Sequence, residues 1–313
     1  MIKTSLKIFA LALAAFTAAA PAPAQDLVRD ALASFPLGTV RLEYSSPARL
    51  RTLPDYAILH ERYLGPSLRT LEGNLVNLGI QESDINEIVL GWVPGASGLT
   101  LEGLASGHFD PQAMARQAAA QGIAATPIGS TSAYCFGSSA TATCVAALEH
   151  SVGGFGNVDA LRALVSARGG EMPGLASNPS FTALVDKQRK DTPIWGVAVG
   201  SAIEDAFKSW MPAQKNLPLD LTTVFKNVES LVYSVQPTDR VRVKVEMNCT
   251  SDAVAGNLRQ GFDQLRLFQK VAWQQQYPNV PNPFDDLGVS ADGSSVDLSL
   301  STPYSALEAR ARE

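Results

Sequence analysis

The most regular alternation of hydrophobic and polar residues lies in the second half of the chain. There Val241, Val243 and Val245 alternate with Arg242, Lys244 and Glu246. A period of two predicts a strand with one buried side and one solvent-facing side. An apolar strand over 227–235 and a turn at 236–239 precede it, and Ser251 with Asp252 then marks the start of a helix. The pattern predicts a strand, a turn, a second strand and a helix.

The first half of the chain shows the same order of elements. Residues 87–93 and 99–105 are apolar strands around a turn, and Asp110 with Pro111 opens a helix as N-cap and first helical residue. Each of these units is preceded by a strand and a helix and followed by a hairpin. These flanking elements are predicted at 39–44, 66–78 and 132–149 in the first half, and at 194–199, 202–211 and 287–300 in the second. The sequence therefore predicts two pseudo-repeated halves, each β-α-β-β-α-β-β.

The helices carry apolar stripes that predict which side of each is buried. One stripe consists of Leu64, Leu68, Leu71, Leu75 and Leu78, and another consists of Val254, Leu258, Leu265, Phe268 and Ala272. Such spacing is typical of a core-facing helix. We expect the α+β class, with largely antiparallel sheets and amphipathic helices on one face. Glycine and proline breaks at 169–179 place the boundary between halves 25–170 and 171–313.

The N-terminus predicts export. Lys3 and Lys7 precede a 13-residue apolar run over 8–20, and small residues at Ala22 and Ala24 form a cleavage site. The run is too short to span a bilayer of about 30 Å as a helix, although an uncleaved N-terminal anchor is the alternative. We predict a signal peptide over 1–24, with cleavage near Ala24 and a soluble periplasmic or secreted product. No apolar stretch after residue 25 is long enough to predict a transmembrane helix.

Composition and cysteines narrow the class further. A hydrophobic fraction of 46% with a net charge of −5 predicts a globular chain and argues against nucleic-acid binding. Cys135 and Cys144 lie symmetrically about a predicted turn, so a hairpin register would bring them within disulfide range. Two buried free thiols are the alternative. Cys249 is the odd cysteine, and we expect it to be a buried small residue.

Motifs for cofactors and metals are missing from the sequence. The cysteine spacing matches no zinc site, and His60-Glu61 begins like a zincin helix but has Leu64 at the position of the second histidine. Gly154, Phe155 and Gly156 resemble the start of a dinucleotide-binding turn, yet Asp159 stands at the third glycine position. We therefore expect a strand-to-helix turn there, and no cofactor or metal.

These observations favour a non-catalytic binding or interaction protein, with an unknown protein or an apolar small molecule as its partner. An exported hydrolase with a site between the halves is one alternative, for which His108, Asp110 and His150 are the first candidates, because triads are defined by geometry and not by order. A carrier of a lipid or apolar ligand is another, and it requires a continuous apolar cavity.

A proline-rich loop over 277–284 breaks the repeat pattern. Loops of this kind often carry function, so we predict partner binding by Trp273, Tyr277 and Phe284. The alternative is a lid that covers a sheet face.

Overall fold

A computed structural model describes residues 26–63, 66–96, 98–137, 142–188, 192–210 and 221–311. The predicted signal peptide over 1–24 and Leu64 of the predicted leucine stripe lie outside the described residues.

The described residues form helices and strands in both halves of the chain. The helices are α1 Leu27–Ser34, α2 Pro47–Leu50, α3 Tyr56–Tyr63, α4 Pro66–Asn77, α5 Pro111–Ala120, α6 Val158–Arg168, α7 Pro179–Gln188, α8 Ala202–Trp210, α9 Leu221–Phe225, α10 Asp252–Gln276 and α11 Tyr304–Ala311. The strands are β1 Arg41–Ser45, β2 Ile85–Gly95, β3 Gly98–Gly107, β4 Ala125–Ile128, β5 Thr131–Phe136, β6 Thr143–Glu149, β7 Val152–Gly156, β8 Ile194–Val199, β9 Val228–Pro237, β10 Val241–Cys249, β11 Gly288–Asp292 and β12 Ser295–Thr302. Short 3-10 turns lie at Glu82–Asp84, Leu175–Ser177 and Pro283–Asp286.

All of these strands belong to one antiparallel sheet in the order β11-β12-β10-β9-β8-β1-β2-β3-β7-β6-β5-β4. The centre of the sheet is the pair β1 and β8, in which Arg41 lies opposite Ala198 and Ser45 opposite Ile194. Outward from this pair, β2, β3, β7 and β6 on one side match β9, β10, β12 and β11 on the other. The predicted α+β class with antiparallel strands is confirmed, and the sheets of the two halves are continuous. The boundary between 25–170 and 171–313 stays a prediction.

Helices pack on both faces of this sheet, which differs from the expected single face. We call the side on which Leu42 and Val197 lie the α1 face, because α1, α6 and α7 pack there. The other side, on which Ile194 and Met247 lie, is the α10 face, and it is covered by α3, α4, α5, α8 and α10. The reason is that every residue of β1 and β7 is buried, so these strands need cover on both sides.

Strand β10 behaves as its alternation predicts. Val241 and Met247 are buried on the α10 face, whereas Arg242 and Lys244 are exposed on the opposite side. The alternation in β10 therefore describes the outer part of the sheet, while the central strand β1 is buried along its whole length and carries the ion pair of Arg41 with Glu43.

Helix α10 begins where predicted, but its buried residues differ in part from the predicted stripe. The Ser251 hydroxyl accepts a hydrogen bond from the N–H of Val254 at 3.3 Å, as an N-cap does. The buried residues are Ala255, Leu258, Phe262, Leu265, Gln269 and Trp273. Phe268 is 49% exposed, in contrast to its predicted core position. In the last turns, the buried positions are Gln269 and Trp273, each one residue after the predicted Phe268 and Ala272.

The expected turn at Gly154, Phe155 and Gly156 is wrong, because these residues form part of strand β7. These residues pair with β3 and β6. Glycine is rare in strands. At Gly153 it makes room for the buried Phe109 ring, because a Cβ there would lie only 2.6 Å from that ring. Asn157 caps α6 by accepting a hydrogen bond from the N–H of Ala160 at 2.8 Å.

Candidate functional site

An apolar pocket lies on the α10 face, in a gap between two hydrophobic core clusters. One core cluster, formed mainly by the second half, contributes Leu50, Leu59 and Ile194 to its wall. The other, formed by the first half, contributes Leu71, Leu75 and Leu90. The gap between them has a volume of about 80 Å³. We call it the seam pocket, since it follows the junction of the two cores across β1, β2 and β8.

Local sequence signals place the helices that roof the seam pocket. Pro47 at the first position of α2 fixes a helical φ without losing a hydrogen bond. Leu71 and Leu75 of the predicted leucine stripe are buried on α4, and Leu78 is buried directly after its end. The backbone N–H of Gln81 then donates to the carboxylate of Asp84 at 2.8 Å and closes the 3-10 turn that leads into β2. The stripe thus faces the sheet as predicted, and the turn brings Glu82 back to the pocket.

One end of the seam pocket is polar. His60 from α3 lies with Nε2 at 3.1 Å from Oε1 of Glu72 from α4. Tyr56, one turn before His60 on α3, donates its hydroxyl hydrogen to Glu82 of the 3-10 turn. One ligand atom from each of His60, Glu72 and Glu82 lies within 4.8 Å of the other two. Three elements that are separate along the chain therefore converge on one polar cluster.

Arg51 anchors this cluster to the backbone. Its guanidinium donates to the carbonyl oxygens of Glu82 and Ile85, each at 2.9 Å, and lies 3.5 Å from the Glu82 carboxylate. Burial and the hydrogen bond to Glu82 raise the pKa of Tyr56. The Tyr56 hydroxyl is thus held as a neutral donor to Glu82.

The polar end is also the open end of the pocket. The side chains of His60, Glu72 and Glu82 are 23%, 31% and 33% exposed, whereas Leu71 and Leu90 are buried. This arrangement fits an apolar group inserted between the cores with a polar group held at the rim.

His108, Asp110 and His150 occupy a different place. The N–H of Phe109 donates to the carbonyl of His150 at 2.8 Å, which brings the segments together through their backbones. The Asp110 carboxylate accepts hydrogen bonds from the N–H groups of Gln112 at 2.8 Å and Ala113 at 3.2 Å. These bonds, led by that from Ala113, lower the pKa of Asp110. Both histidines are exposed, and none of the three residues lines the seam pocket. Asp110 acts as the predicted N-cap.

Trp273, Tyr277 and Phe284 pack on one another. The ring centroid of Trp273 lies 4.6 Å from that of Tyr277 and 6.3 Å from that of Phe284. Trp273 is only 3% exposed, so most of its ring surface is already buried within the chain. The loop folds back onto α10, and a partner-binding role for these residues stays a prediction.

A disulfide bond joins Cys135 and Cys144, which lie opposite each other in the β5–β6 register. Cys249 is a buried free thiol at the end of β10, and its burial raises its pKa. The thiolate, which is the reactive form, is thereby disfavoured.

Of the three residues at the polar end, the sequence singles out only His60, as the start of an incomplete zincin motif. Glu72 and Glu82 read as ordinary polar positions, and His60 lacks the second histidine of a zincin helix. The one available signal was the i, i+4 spacing of Tyr56 and His60, which places both rings on one side of α3.

Comparison with known proteins supports the architecture. No protein-family model matches the chain, and no curated protein matches it. The crystal form I structure of TP0453 is similar, with a TM-score of 0.53 and 9% sequence identity, covering 90% of this chain and 96% of that chain. Crystal form III of TP0453 gives a TM-score of 0.50 at 9% identity, with 90% and 98% covered. At this identity, the likeness shows the fold alone.

Among the described residues, no helix is long and apolar enough to cross a membrane.

Proposed function

We propose that this chain is an exported, non-catalytic binding protein that holds a small apolar molecule, or the apolar end of an amphiphile, in the seam pocket. The observation that carries the proposal is the gap between the two core clusters, which is lined mainly by leucine and isoleucine and has a polar cluster at one end. The N-terminal pattern over 1–24 supports export.

The physical argument starts from packing. Protein interiors are close-packed, and empty space between apolar side chains forfeits dispersion contacts. Apolar cavities stay dry and bind apolar molecules of matching size. The seam pocket has about 80 Å³ of free space, and its most exposed lining side chains include those of His60, Glu72 and Glu82 at the polar end. A short alkyl chain or a single ring would restore the missing contacts, and a longer ligand would extend past His60 and Glu72.

The hydrolase hypothesis gains no support from this geometry. Asp110 is engaged by the N-terminus of α5, and His108 and His150 are exposed outside the seam pocket.

Filling the pocket should abolish ligand binding. We expect Leu75→Trp to weaken binding of the neutral apolar fluorophore N-phenylnaphthylamine at least tenfold, equivalent to about 1.4 kcal/mol. The phenyl ring of this probe is the single ring that the gap admits, and the indole would occupy that space. The matched control is Val76→Trp on the same helix, since Val76 is 51% exposed and does not line the pocket. A fluorescence titration of the purified protein measures both variants.

Circular dichroism and thermal unfolding would first establish that Leu75→Trp is folded. Equal probe affinity for a folded Leu75→Trp variant and the wild type would contradict the proposal, as would a wild type that does not bind the probe. If overpacking unfolds this variant, Ile88→Phe introduces a smaller ring from the sheet side of the same pocket. Native mass spectrometry of the wild type would then identify any ligand retained from the cell.

A further inference from the structure

The polar end of the seam pocket has the donor set of a transition-metal site. His60 offers an imidazole nitrogen, and Glu72 and Glu82 each offer a carboxylate oxygen, with all three atoms within 4.8 Å of one another. In zinc sites, metal–nitrogen and metal–oxygen distances of about 2.0–2.2 Å place tetrahedral ligand atoms roughly 3.4 Å apart. The present separation of 3.1 Å between His60 and Glu72 is already close to this value. Small side-chain rotations would complete the geometry.

The chemistry of these donors selects the class of cation. Calcium and magnesium prefer all-oxygen surroundings, whereas an imidazole combined with carboxylates suits zinc. Three protein ligands leave the fourth position of a tetrahedral zinc ion open. Because all three side chains line the seam pocket, that open position would adjoin the pocket.

Charge supports the same conclusion. Glu72 and Glu82 bring two carboxylates together, and Arg51 contributes one positive charge at 3.5 Å from Glu82. With a neutral imidazole, the formal charge of these four groups is negative, and a dication would offset the repulsion between the carboxylates.

The surroundings also orient the ligands. Tyr56 and Arg51 both donate to Glu82, and carboxylate ligands in metal sites are commonly held by such hydrogen bonds. Glu82 additionally sits in a 3-10 turn whose carbonyl is held by Arg51. One ligand is thereby positioned before any metal arrives.

We infer that His60, Glu72 and Glu82 form a binding site for one zinc ion at the mouth of the seam pocket. This inference is independent of the apolar ligand proposed above, since the metal requires only these three side chains.

Isothermal titration of ZnCl₂ into tag-free, chelator-treated full-length protein tests the inference. We expect one zinc ion per chain. His60→Ala and Glu72→Gln should each weaken binding at least tenfold. The matched control is His150→Ala, which removes an exposed histidine outside the cluster and should leave the affinity within about twofold.

Cobalt provides a second readout. The wild type loaded with Co²⁺ should show the d–d absorption of a four-coordinate site, and His60→Ala should lose it. Glu72→Gln is nearly isosteric, and circular dichroism would establish that it is folded. Absence of zinc binding in the wild type would overturn the inference, as would equal effects of His60→Ala and His150→Ala. In either case, the His60–Glu72 pair would serve only to hold α3 against α4.

One variant separates the failure of the pocket from the failure of this site. Leu75→Trp should lose the apolar probe and keep zinc, because Leu75 lines the pocket and is not one of the three proposed zinc ligands. A Leu75→Trp variant that loses both would show that the two sites are not independent, and would contradict the inference as stated.

Discussion

Replacing Glu102 by glutamine should remove most of the pH dependence of stability between about pH 5 and 8. Over this range, the free energy of unfolding of the wild type should fall as the pH rises. Glu102 lies in β3 and is completely buried on the α1 face. One carboxylate oxygen accepts a hydrogen bond from the Thr39 hydroxyl at 3.2 Å, and the other has no hydrogen-bond partner among the described residues. Burial raises the pKa of Glu102 to about 8, and the bond from Thr39 offsets only part of this rise.

The direction of the effect follows from proton linkage. In the unfolded chain, glutamate titrates near a pKa of about 4.3, so between this value and about 8 the folded protein holds a proton that the unfolded chain has released. The contribution of neutral Glu102 is therefore fully present below about pH 4.3 and is lost as the pH rises through 8. The slope is about 1.4 kcal/mol per pH unit, which amounts to roughly 4–5 kcal/mol over the window.

Urea unfolding of the wild type and Glu102→Gln across this pH window measures the effect. The difference in the free energy of unfolding should grow with pH in favour of glutamine, whatever its value at the acid end. Glu229→Gln, at an exposed position of β9, is the matched control and should follow the wild type. Parallel pH profiles for the wild type and Glu102→Gln would show that the buried carboxyl of Glu102 does not cause the pH dependence of stability.

Removing the disulfide should lower stability by about 2.5 kcal/mol in the chain-entropy model, because the bond closes a short loop in the unfolded chain. The double substitution Cys135→Ser with Cys144→Ser tests this by urea unfolding under non-reducing conditions. Cys144 is completely buried, so serine adds the desolvation of a hydroxyl to the entropic loss. The expected direction is a lower midpoint, with a further contribution from the unsatisfied hydroxyl.

Reductant provides the control for that experiment. A thiol reductant should destabilise the wild type and Cys249→Ala by similar amounts, since Cys249 is a free thiol, and should leave the double variant unchanged. A wild type that is insensitive to complete reduction would contradict the prediction.

The buried position of Glu102 shows where sequence analysis fails. In the β3 sequence, Glu102 is a lone charged residue between Leu101 and Gly103, and nothing nearby in the sequence indicates that it is buried. Glu102 is buried because its neighbour in the sheet is Gly91, which has no side chain and lets the Phe35 ring approach. A Cβ at residue 91 would lie only 2.8 Å from that ring. Phe35 follows α1, which is distant in the chain. The local sequence pattern around Glu102 therefore cannot predict that Phe35 packs beside it.

The polar cluster of the seam pocket shows the same limit. His60, Glu72 and Glu82 belong to α3, α4 and the turn before β2, and they meet because α3 and α4 roof the gap between the two cores. Each residue is unremarkable within its own segment. Their proximity depends on how helices pack on the sheet, which periodicity does not encode.

By itself, the sequence determined the features that depend on neighbouring residues. These are the alternation of β10, the caps of α5 and α10 at Asp110 and Ser251, and the buried leucines Leu71 and Leu75 of α4. Local hydrogen bonds and side-chain periodicity fix such features. Only the tertiary structure decided that β1 pairs with β8 to join the halves into one sheet, that helices cover both faces, and that a gap with a polar rim remains. These outcomes depend on contacts between segments far apart in the chain, and their energies are settled only when the whole core packs.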